Sequence, residues 1–145
     1  MITNIRAVRP RGYFVVAVLL TLMLLHGCGE APRTDEESVA LIQRYLQAQQ
    51  AGDIQAAVAL YPPPAREQWQ SFLQQTVQDL GAVNDYVIES IEPNTVYSGK
   101  YYLATVRVNR HMASGEDYSS MEIVTALRKL SDDQTYIVSH KIKHH

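Results

Sequence analysis

Three sets of side chains in this sequence have types and spacing that could do chemistry. The first is a lone thiol: Cys28, the single cysteine of 145 residues, ends the apolar run L-M-L-L-H-G-C-G-E from Leu22 to Glu30. With no second cysteine it cannot close a disulfide within the chain. The second set lies on segments that read as strands and helices farther on. It comprises the acids Asp85, Glu89 and Glu122, with Tyr45, Tyr86, Tyr102 and His140 at positions whose alternation points them inward. The third is His140, His144 and His145, since imidazoles are common metal ligands. No cysteine or carboxylate cluster completes a site around these histidines, so no metal or other cofactor is expected. Arg107, Asn109, Arg110 and His111 read as a solvated polar patch at one end of a sheet. No phosphate-cradling glycine loop, nucleophile elbow or metalloprotease motif occurs, and no residue is assigned a catalytic role.

The thiol is the most specific of these signals because of what precedes it. Arg6, Arg9 and Arg11 come first, no acid stands before Glu30, and Gly12 to Gly29 is uncharged, the pattern of an export signal. Leu25-His26-Gly27-Cys28 resembles the bacterial lipobox, in which a branched apolar residue and small residues precede a lipidated cysteine; His26 departs from that pattern. The resemblance implies a signal peptide over residues 1–27 and lipidation of Cys28. Each buried methylene is worth about 0.8 kcal/mol, so two or three acyl chains hold a protein durably at a membrane. It also implies a cell-envelope location, and Gly29 after the cysteine resembles the default for the outer membrane, facing the periplasm, in a Gram-negative cell. The alternative is an uncleaved helix, whose uncharged stretch would reach roughly 27 Å.

What remains after residue 27 is enough for one domain. It keeps ten basic residues against fifteen acidic ones, a net charge of minus five, which does not attract nucleic acid. Residues 28–33 form a tether, and five residues beyond the cysteine span under roughly 20 Å, so the domain at 34–145 must stay near the bilayer.

Thr34-Asp35-Glu36-Glu37 predicts a capping box, followed by a helix to about Ala51 with Val39, Ile42, Tyr45, Leu46 and Gln49 on one face. Gly52 stops it and Asp53 caps a short helix, Ile54 to Leu60. Pro62-Pro63-Pro64 ends that helix and opens a third. There Trp69, Phe72, Leu73, Val77 and Leu80 make an amphipathic stripe closed by Gly81. Period two then takes over, predicting strands at Asp85–Ile91, Lys100–His111, Tyr118–Leu130 and Thr135–Lys143, with Pro93-Asn94 as a turn. Short connections make the strands antiparallel. The fold class is therefore α+β: three N-terminal helices packed on a curved, four-stranded antiparallel sheet.

The Tyr45-Leu46-Gln47-Ala48 helix, its break at Ala51-Gly52-Asp53, the shorter helix with Ala56-Ala57, and a meander ending Thr135-Tyr136-Ile137-Val138 resemble the cone-shaped nuclear transport factor/ketosteroid isomerase-like domains. The likeness is strongest to small lipid-anchored members without assigned activity. Such a cone implies a cavity lined by Tyr45, Trp69, Tyr86, Tyr102 and His140. The resemblance implies a membrane-anchored, non-catalytic binding or assembly module, with a small apolar ligand or a protein partner, including a second copy of itself. Its alternative is a small isomerase- or dehydratase-like enzyme using Asp85, Glu89 or Glu122 as base. Burial of one of these acids beside Tyr45 or Tyr102 would be required for that alternative.

Overall fold

The computed structural model describes residues 36–96, 99–129 and 134–143. The expected signal segment, Cys28, the expected tether, Thr34, Asp35, His144 and His145 lie outside the described residues. No described helix is long and apolar enough to cross a membrane.

Helix α1, Glu36–Gln50, buries Ser38, Leu41, Ile42, Tyr45 and Leu46, one face at spacings of three and four. It ends at Gly52, whose φ of 71° suits a residue without a Cβ, and the Asp53 amide closes the turn on the Ala48 carbonyl at 2.9 Å. Asp53 then caps α2, Ile54–Ala59, its carboxylate accepting from the Ala56 amide at 2.9 Å. A 3-10 turn at Pro63–Ala65 leads into α3, Arg66–Leu80. The apolar stripe of α3 is narrower than the sequence predicts. Leu73 and Thr76 are buried, Trp69 and Phe72 are half-buried, and Val77 is 40% exposed at the rim.

The sheet has the order β1-β2-β3-β4, every pairing antiparallel: β1 Ala82–Val96, β2 Gly99–His111, β3 Asp117–Lys129 and β4 Thr135–Lys143. Strand β1 is longer than expected at both ends. Pro93 and Asn94 do not turn but pair with Tyr102 and Tyr101. The physical reason is that β1 is an edge strand, where proline's missing N–H can face the open side without removing a ladder bond. Irregularities between Val83 and Asp85, between Ile88 and Ser90, and in β4 opposite Thr125/Ala126 bend the strands locally.

One face of the sheet meets the helices. Tyr102, Ala104, Val106 and Val108 from β2, Val124 and Ala126 from β3, and Ile137 from β4 pack against Leu41, Ile42, Tyr45, Leu46, Ala57, Val58 and Leu73. The Ile137 amide also donates to the Leu60 carbonyl at 2.9 Å, tying β4 to the end of α2.

Candidate functional site

The same buried face carries a run of polar side chains. Glu122 occupies the middle of β3 between Ser120 and Val124, all three pointing inward, and is 1% exposed. Arg110, also 1% exposed, meets it from β2: Nη2 donates to Oε1 at 3.0 Å and Oε2 at 3.3 Å, and Nε donates to Oε1 at 3.3 Å. The Ser120 hydroxyl donates to Oε1 at 2.8 Å. His140 of β4 closes the other side, Nε2 lying 2.5 Å from Oε2. Its Nδ1 is 3.0 Å from the Tyr45 hydroxyl of α1, which is 2.9 Å from the hydroxyl of Tyr61.

Charged Glu122 only accepts, so Nε2 of His140 carries a proton and donates. The next links follow the state of Nδ1: without a proton it accepts from Tyr45, whose oxygen accepts from Tyr61, and with a proton it donates to Tyr45, whose hydroxyl then donates to Tyr61. Burial by itself would raise the Glu122 carboxyl. The hydrogen bond and charge of His140, then Arg110 and Ser120, outweigh it and hold the group at about 2. Both phenols go the other way. Tyr45 is pushed well up, first by burial and then by Tyr61, and Tyr61 is pushed up by burial, partly offset by its bond to Tyr45. Both therefore stay protonated.

Aromatic rings enclose the far end. Trp69 stacks on Tyr61 at 4.5 Å, and Phe72 stands edge-on to Trp69 at 5.3 Å and to His140 at 5.7 Å. Beyond Phe72, between α3 and β4, runs a groove of about 560 Å³ whose walls include Phe72, Gln75, Thr76, Asp79, Leu80, Lys141 and Ile142. His140 borders it, yet the imidazole itself is wholly buried. The Thr76 hydroxyl is occupied by the Phe72 carbonyl at 2.8 Å, and Gln75 donates to Asp79 at 2.8 Å.

Of the residues that the sequence points to, Tyr45 and His140 are hydrogen-bonded, and Trp69 joins them through Tyr61. Tyr102 sits in the core far along β2, opposite Pro93 and Ala126, and Tyr86 is half-buried opposite Val108. Among the acids, Glu122 is buried in the network. Asp85 and Glu89 are exposed on the sheet's other face, bonded to Asn109 at 2.5 Å and to Arg107. Arg110 corrects the expectation of a solvated patch. It lies inside, because it continues the inward series Tyr102, Ala104, Val106, Val108 by two residues. Tyr61 carries no comparable sequence signal, falling between a short helix and three prolines. Among the described residues no cluster of three metal-ligating side chains occurs.

No protein-family model matches the sequence, and no curated protein matches it either. Solved structures do match, at the level of fold. A protein from Xanthomonas campestris named for a calcium/calmodulin-dependent protein kinase II association domain superposes with a TM-score of 0.59 at 14% identity, over 80% of this chain and 91% of that one. A protein from Streptomyces avermitilis, named as a dehydratase of the NTF2-like family, gives 0.57 at 13% identity, over 77% and 97%. A domain of unknown function with a cystatin-like fold from Nostoc punctiforme gives 0.53 at 14%, over 78% of each. Helices packed on a four-stranded antiparallel sheet are thus the α+β architecture that this chain shares with cystatin-like and NTF2-like domains.

Proposed function

We propose that the chain is a bacterial lipoprotein, held at the cell envelope through Cys28, whose domain binds a small, largely apolar ligand in the groove between α3 and β4 without transforming it. The observation that carries the non-catalytic part is the saturation of Glu122. Both of its oxygens are engaged by Arg110, Ser120 and His140, and the side chain is 1% exposed. A general base must come within hydrogen-bond reach of the proton it takes, and a carboxyl held near 2 is a weak base at neutral pH. The groove supports a binding role: its volume is in the range of ligand sites, and Phe72, Leu80 and Ile142 give it apolar walls with Lys141 and Asp79 beside them. Anchoring rests on Leu25, Gly27 and Cys28, and the short tether would keep the start of the domain within about 20 Å of the bilayer.

One observation favours a second reading, an isomerase- or dehydratase-like enzyme. Glu122 is buried and reaches Tyr45 through His140, the placement that such chemistry requires. In that reading Glu122 orients His140 through Nε2, and Nδ1 takes the substrate proton once Phe72 and the Tyr45 hydroxyl move aside.

Native mass spectrometry of the protein released from its own membranes in mild detergent distinguishes the readings. Binding predicts a non-covalent adduct on the wild type that is lost in Leu80→Asp and Ile142→Asp and retained, chemically unchanged, in His140→Ala. A wild type without adduct, or an adduct chemically altered by wild type but not by His140→Ala, overturns it.

A further inference from the structure

Binding in the groove makes no use of the buried chain that runs from Trp69 to Glu122. Its members have a chemistry of their own. Trp69 is half-buried and stacks on Tyr61 with centroids 4.5 Å apart and planes at 19°, so one end of the chain meets solvent. Tyr61 and Tyr45 are both 0% exposed, their rings edge to face at 5.6 Å and their hydroxyls 2.9 Å apart. The Tyr45 hydroxyl in turn lies 3.0 Å from Nδ1 of His140.

Indole and phenol rings are among the side chains that give up a single electron most readily. A phenol that loses one becomes a strong acid, so the fate of its proton decides how easily the electron leaves. Burial holds Tyr45 and Tyr61 protonated, which rules out a phenolate formed beforehand. Electron and proton must leave together. While Nδ1 carries no proton, Tyr61 offers its own to a second phenol, a poor base, whereas Tyr45 offers its own to an imidazole. The imidazolium so formed keeps the Glu122 carboxylate 2.5 Å from Nε2, which offsets its charge away from water.

We propose that this chain is a one-electron donor, which admits oxidation at Trp69 and holds it as a neutral phenoxyl radical on Tyr45. The indole gives an electron to a diffusible one-electron oxidant of the organic peroxyl radical class, which takes a proton from water and ends as a hydroperoxide. Tyr45 refills the indole through Tyr61. As it does so its O–H bond breaks and Nδ1 gains the proton, leaving a phenoxyl radical beside an imidazolium. The Tyr61 hydroxyl goes on donating to the phenoxyl oxygen, and burial keeps other radicals from reaching it. None of this depends on what fills the groove.

The test uses a synthetic oxidant with the full chain in detergent. A laser flash on a ruthenium(II) polypyridyl complex with an electron-accepting quencher makes ruthenium(III), which takes one electron from the protein and returns to ruthenium(II). Electron paramagnetic resonance then reads the radical. The wild type should give a tyrosyl signal whose slowest-decaying part is lost in Tyr45→Phe. Its formation should slow in Trp69→Phe and, for the wild type, in heavy water. His140→Gln keeps a hydrogen-bond acceptor but no base, and should slow formation by about a hundredfold or more. A long-lived signal that survives Tyr45→Phe overturns the proposal. So does a His140→Gln protein of wild-type melting temperature that forms it at the wild-type rate, or a wild-type rate that heavy water leaves unchanged.

Discussion

At the scale of single residues the decisive contact is Arg110 with Glu122, two charges almost wholly removed from water. Removing one partner of a buried pair leaves the other uncompensated, whereas replacing both with apolar groups is often tolerated. Arg110→Met is therefore expected to lower stability by about 3–5 kcal/mol in urea unfolding, and Arg110→Met/Glu122→Leu to recover most of that loss. An Arg110→Met protein within 1 kcal/mol of wild type would show that the pair does not form. Acid acts on the same contact. The Glu122 carboxyl is held at about 2 in the folded chain, below its ordinary 4.5, so the unfolded chain binds more protons between those values. Its contribution to stability is complete above about 4.5 and is lost as pH falls towards 2. Across that window the wild-type unfolding midpoint should fall more steeply than that of Glu122→Gln; equal slopes would remove Glu122 from the account. Much of this was legible in sequence, since Glu122, Tyr45 and His140 all stand at inward positions of an alternating or helical pattern. Arg110 was not, because a charged residue near a strand end is ordinarily solvated, and only its parity with Val108 hints otherwise.

At the scale of elements, the joint between α3 and β1 places Arg110. Gly81 closes α3 at φ 89°, a Cβ built there would stand 2.3 Å from the His111 carbonyl oxygen, and the Gly81 carbonyl accepts from Arg110 at 3.2 Å. Gly52 has a similar φ, 71°, but open space around it. Gly52→Ala carries a positive-φ backbone cost of about 1–2 kcal/mol, and Gly81, with ψ 171°, lies in a region that only glycine adopts readily, at about 1–3 kcal/mol. Gly81→Ala must also displace backbone and loosen the Arg110 contact, so its melting temperature should fall clearly below that of Gly52→Ala. Equal losses would mean that the joint has room to relax. The element order, the break at Gly52-Asp53 and the four strands follow from local periodicity and turn residues. The Pro93-Asn94 turn did not hold, because whether a proline turns the chain depends on which strand lies at the edge, and local sequence does not contain that information.

At the scale of the whole molecule, the domain and its anchor are separable claims with separate tests. Cys28→Ser should block lipidation and signal removal, so that the protein accumulates as an untrimmed precursor by mass spectrometry, leaving the fold of the domain intact as judged by circular dichroism. A protein still membrane-bound and still trimmed would overturn the lipid anchor. The fold class could be read before any coordinates because helices and strands are segregated along the chain, which leaves few layered arrangements. The buried network could not be read as a unit, since its members come from α1, β2, β3, β4 and the segment after α2. One further property follows from the stacking of Trp69 on Tyr61. Trp69 is the only indole in the sequence, and its neighbouring phenol begins the chain of bonds that ends at Glu122. Intrinsic emission is thus a built-in optical reporter: rearrangement at the carboxylate, or a guest displacing Phe72, will register as a change in colour or brightness with no label attached.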